Sequence, residues 1–90
     1  MVIKNGMLVT GTWGGSIVWR RLKPPEESQY VDDRDVVGVF HENDIGVIIC
    51  NTRVKPPKGK WARPRYCEYV LVLMNGELGY VNTHSIERVK

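Results

Sequence analysis

Residues 69–89 read YVLVLMNGELGYVNTHSIERV, and this stretch decides the fold. Asn75-Gly76 separates two β-branched, aromatic and leucine-rich runs. A type I′ turn needs positive φ at both central positions, and Asn and Gly tolerate that at little cost. The pattern therefore predicts a hairpin of two strands, Tyr66–Met74 and Glu77–Asn82. Four small or polar residues follow (Asn82, Thr83, His84, Ser85), and then a short last strand, Ile86–Val89. Side chains alternate along a strand, so Val70, Val72 and Met74 share one face while Tyr69, Leu71 and Leu73 share the other. Both faces are apolar. A small barrel has one interior, so the second face needs a cover of its own.

The same signature runs back through the chain. No segment sustains a helical period over ten residues. Short apolar runs are punctuated by Gly, Pro, Asn and Asp, which is the pattern of an all-β protein. Further strands are expected at Met7–Trp13, Ser16–Leu22, Val36–Phe40 and Gly46–Val54. The glycines of GTWGG (residues 11–15) read as a turn beside Trp13, joining a first hairpin. His41-Glu42-Asn43-Asp44 reads as the loop of another. With 90 residues the chain makes a single domain, residues 1–90. A chain of this size buries roughly 60% of its surface, which leaves no room for a large internal cavity.

Two connections are long, and each opens with Lys-Pro-Pro. Proline fixes φ and donates no ladder hydrogen bond, so both leave the sheet. They differ in charge. Residues 26–35 (EESQYVDDRD) hold five acids and one arginine, whereas residues 54–66 (VKPPKGKWARPRY) hold five cations and no acid. The net charge of +3 conceals this polarity.

The closing segment, a Gly-aromatic-Val strand, a short polar turn and a final strand, is similar to the end of SH3-like barrels. KNGMLV resembles their opening strand, and DIGVII resembles a Gly-Val strand common in bacterial and phage members. The whole layout resembles small SH3-like barrel proteins of tailed bacteriophages. That resemblance implies a small SH3-like barrel with two long loops, acting in a virion or as an accessory factor, in the host cytoplasm or the virion. It also implies a departure. Signalling SH3 domains carry an ALYDY-type motif where this chain has GMLVTGTW, and a Trp pair that is missing here, so recognition of proline motifs in the usual groove is not expected.

Catalytic patterns are weak, and a non-enzymatic protein is expected. A nucleophile needs a base and an orienting group, and Cys50, Cys67, His41 and His84 show no spacing that unites them. Cys50, at the end of GVIIC, is expected to be a buried, inert thiol, and Cys67 a packing residue. His84 is expected to cap or to lie on the surface. Zinc ligands come in close pairs; here the cysteines are seventeen residues apart and the histidines forty-three. GTWGG lacks the Gly-Lys-Ser/Thr of a phosphate loop, and the acids of 26–35 lack EF-hand spacing. No metal or cofactor is expected. MVIKNGMLV has no apolar core of signal-peptide length, and no apolar run approaches the ~20 residues of a membrane span. A protein not exported by a signal peptide, with free thiols and no membrane partner, is the expectation.

The candidate binding residues are Lys55, Lys58, Lys60, Trp61, Arg63 and Arg65. Trp and Arg anchor protein interfaces, and prolines reduce the entropy lost when an arm docks. The favoured expectation is a protein-binding or assembly module, either self-associating as a homo-oligomer or docked on another protein in a larger assembly. Unlike charged surfaces can join head to tail. The same cations could neutralise phosphates while Trp61 stacks on a base, so a nucleic-acid-binding accessory protein is the alternative. A pI near 9.0 is mild for that role. A third reading is an inhibitor of a host protein, in which the acidic stretch would matter more. The same segment also has a structural reading, with Trp61 folded back over one end of the barrel.

Overall fold

The hairpin forms as its sequence dictates. In the computed structural model Asn75 and Gly76 take φ values of 51° and 80°, and the strands on either side pair from Met74↔Glu77 out to Tyr69↔Asn82. The structure describes residues 2–12, 14–22, 35–55 and 68–89. Within them lie seven strands: β1 (Leu8–Gly11), β2 (Ser16–Trp19), β3 (Val36–Phe40), β4 (Ile45–Val54), β5 (Tyr69–Met74), β6 (Glu77–Asn82) and β7 (Ile86–Arg88). All seven expected strands are present, several with trimmed ends. A 3-10 turn, Thr83–Ser85, precedes β7, and the Asn82 side chain accepts from the His84 backbone N–H at 2.9 Å to cap it. Among the described residues there is no α-helix, and no helix long and apolar enough to cross a membrane.

The strands form one antiparallel sheet in the order β3-β2-β6-β5-β4-β1-β7. It curls into a half-barrel. At one corner its two ends meet: Gly11, at the end of β1, forms an isolated bridge with Glu42, just past β3. A Cβ on Gly11 would run into the carbonyl of His41, so only glycine lets the two backbones approach this closely.

This order corrects two expectations. Phe40 and Ile45 flank a tight turn in which the Asp44 carboxylate accepts from the His41 N–H at 2.8 Å, but β3 and β4 are not paired. The turn is a corner that carries the chain from the β3 edge of the sheet to β4, four places along it. β1 and β2 are likewise no hairpin, since β1 pairs with β4 and β7 while β2 pairs with β3 and β6. Gly14 and Gly15 do turn the chain there, both at positive φ.

The concave face holds the core. Val9, Val18, Phe40, Ile48, Val70, Val72 and Val81 are fully buried, with Ile3, Met74 and Ile86 nearly so. Val37 joins them because a bulge in the β2–β3 register turns it inward. The N-terminal turn is tied to β4: Asn5 Oδ1 accepts from the Asn51 N–H at 2.7 Å, and the Gly6 N–H reaches the Ile48 carbonyl at 2.7 Å. Among the described residues the core contains no polar or charged side chain.

Candidate protein-docking face

The convex face is built by the same alternation that fills the core. Residues paired across neighbouring strands point to the same side. Following the register across four strands gives a row Leu78–Leu73–Val47–Leu8. A second row runs Val36–Trp19–Tyr80–Leu71–Cys50 over five strands. Ile45, opposite Thr10 and two register positions beyond the Leu8–Val47 pair, widens the face on the same side. Leu8, Ile45 and Leu78 remain 49%, 50% and 51% exposed. Covering the exposed half of such a side chain is worth about 1 kcal/mol. An apolar surface continuous across four strands is therefore a favourable contact for whatever meets it.

A shallow groove lined by Thr10, Asn43, Ile45, Glu87, Arg88 and Val89 borders this face. The Thr10 hydroxyl is buried at the groove without a hydrogen-bond partner.

Two charged stretches leave the sheet at opposite ends. Trp19 pairs with Tyr80 in antiparallel sense, so the chain beyond β2 runs towards the Glu77 end of β6. The described residues break off there at Leu22 and resume at Asp35, whose carbonyl accepts from the Arg20 N–H at 2.7 Å and whose carboxylate meets Arg21 Nε at 3.3 Å. The basic stretch leaves at the other end. Val54 pairs with Tyr69, Tyr69 pairs with Asn82, and the Thr83 N–H donates to the Glu68 carbonyl at 2.9 Å. Arg53 and Glu68 flank this root at 3.9 Å.

Of the sequence-predicted binding residues, Lys55 is exposed at the end of β4. Lys58, Lys60, Trp61, Arg63 and Arg65 lie outside the described residues, as do Trp13, Cys67 and the acidic stretch up to Arg34. The two-sided character of β5 is legible in its sequence, whereas the contributions of Leu8, Ile45 and Leu78 emerge only from the register. A signal was available in IGVII, where alternate residues of both phases are apolar.

Cys50 corrects another expectation. It is half-buried and belongs to the convex face, because a bulge between Ile48 and Cys50 shifts the alternation of β4. Its thiol pKa lies below the ordinary value, chiefly through a hydrogen bond from the Thr52 side chain and then one from the Thr52 backbone. His84 is exposed in the 3-10 turn. Among the described residues no group of three or more His, Cys, Asp or Glu is placed to hold a metal ion.

Comparison with protein-family models, curated proteins and solved structures finds no match to this chain.

Proposed function

We propose that this chain is a non-enzymatic protein-binding and assembly module, a small SH3-like barrel of the kind that serves in tailed bacteriophages as a virion or accessory component. The observation that carries the docking reading is the Leu78–Leu73–Val47–Leu8 row, apolar across four strands and half-exposed at its two ends. The barrel reading is supported by the close of the chain, where β6, a 3-10 turn and β7 follow one another. The basic stretch, with Trp61 and Arg63 at its centre, leaves from the row Val54–Tyr69–Asn82 on the same face. Protein interfaces place charged residues around an apolar centre, and the composition of this stretch suits that role.

The test is size exclusion with light scattering and absorbance at 260 and 280 nm, on protein purified without nuclease, at low and high salt. A mass above one chain, or a co-eluting polypeptide, with protein-like absorbance at both salts is the expected result. Trp61→Ala with Arg63→Ala should then weaken the association and leave the melting temperature nearly unchanged. A large fall in melting temperature with normal association would assign Trp61 to the fold instead. A high 260/280 ratio that collapses in salt would replace the protein partner with nucleic acid, held by Lys55, Lys58 and Lys60.

A further inference from the structure

One buried polar atom is left unsatisfied in the groove at the margin of the sheet, and its neighbours indicate what would satisfy it. Thr10 lies between Ile45 on β4 and Glu87 on β7, so the three side chains stand side by side on one side of the sheet. The Thr10 hydroxyl oxygen is buried and has no hydrogen-bond partner. Leaving a buried hydroxyl unsatisfied costs stability, and each such atom in a folded chain calls for a reason. Glu87 is exposed and makes no ion pair among the described residues. Asn43, held at φ 76° in the 41–44 corner, brings an amide to the same groove, and Ile45 and Val89 give it apolar walls. The groove holds about 380 Å³ and opens to the surface.

We infer that this groove binds the end of an alkylammonium chain, the chemistry of a lysine side chain. A protonated primary amine has three N–H donors and no acceptor. The Thr10 hydroxyl, the Glu87 carboxylate and the Asn43 amide oxygen are acceptors brought to one groove by β1, β7 and the 41–44 corner. The methylenes behind the amine need apolar cover, which Ile45 and Val89 supply. Other ligands fit less well. A calcium ion takes about six to eight oxygens and draws on several carboxylates, whereas Glu87 is the one acid lining the groove. An anion would meet the Glu87 charge. Arg88 borders the groove, but it pairs with Val9, whose side chain is in the core, so alternation assigns it to the other side of the sheet. The site is independent of the docking reading, since a free amine and a partner's lysine carry the same group.

The test is an NMR titration of the isotope-labelled chain in amine-free phosphate buffer at constant ionic strength. The probes are n-butylammonium chloride and Nα-acetyl-lysine methylamide, with n-butanol and sodium butyrate as controls. Saturable shifts of the Thr10, Ile45 and Glu87 amides are expected with both ammonium probes and with neither control. The tighter of the two probes tells a free amine from a lysine within a partner chain. Glu87→Gln should weaken binding about tenfold, as the loss of a charge-assisted hydrogen bond does. Its side chain is exposed, so the fold is kept, which circular dichroism checks. Thr10→Val separates binding from folding: it should weaken binding and raise the melting temperature, because the unsatisfied hydroxyl is gone. The inference is overturned by the absence of saturable shifts with both ammonium probes, by an equal response to n-butanol, or by a Glu87→Gln chain that binds as the wild type does. A Thr10→Val chain that melts lower than the wild type would mean that the hydroxyl is already satisfied, as by a bound water, and would overturn it too.

Discussion

β5 carries two apolar faces in six residues, and they have different fates. Val70 and Val72 are fully buried and Met74 nearly so, while Tyr69, Leu71 and Leu73 on the other side are only half-covered. Composition does not distinguish the two sets. What separates them is curvature: the sheet closes around one set and leaves the other on its convex side. Hydrophobicity is thus a statement about what a residue can do, and topology decides whether it stabilises this chain or a contact with another.

The strongest way to break this comparison is to damage the concave face. Ile48 is fully buried in the centre of β4. Ile48→Ala should cost about 2–5 kcal/mol, read as a lower denaturation midpoint in urea. A cost near zero would mean that the concave face is not the core. Next comes the seam that makes one face concave. Gly11→Ala sets a methyl group against the His41 and Phe40 backbone, which cannot move aside as a flexible side chain would. A loss of about 1–3 kcal/mol is expected, and hydrogen exchange should quicken first in β1 and the 41–44 corner. The Asn75-Gly76 turn is a smaller lever. Gly76→Ala keeps φ near 80° at a cost of about 1–2 kcal/mol, and the register of β5 and β6 holds. On the convex side Leu78→Ser should change stability by less than about 0.5 kcal/mol while reducing association. If it destabilised the chain as Ile48→Ala does, the two faces would not differ.

Much of this was legible in the sequence, because strand existence is a local matter. Alternation, β-branching and turn residues placed all seven strands, and Asn75-Gly76 specified the hairpin. Pairing is not local. The His41–Asp44 turn has loop chemistry that suits a hairpin, and only the sheet order reveals a corner. The convex face was half legible. β5 announced it, but Leu8 and Ile45 join it through the pairing of β1 with β4, and the sequence alone does not state that register. Bulges add a further limit, since one extra residue reverses every assignment beyond it.

Cys50 is the sharpest case of that reversal, and it offers the finest test. Strict alternation from Gly46 and Ile48 places it inside, but the bulge places it outside, opposite Leu71. There Thr52 donates to its sulfur and favours the thiolate, so its pKa falls below the ordinary thiol value. A lowered folded-state value means that the thiolate's contribution to stability is full only above the unfolded pKa. It is lost as pH falls through the folded value, so at neutral pH it is slight. Reactivity is the better readout. In a Cys67→Ser chain, alkylation of Cys50 by iodoacetamide should reach half its plateau rate at a lower pH than an unfolded control, and Thr52→Val should move that midpoint upward. A thiol that reacts only after denaturant is added would return Cys50 to the interior and remove the bulge from the account of the convex face.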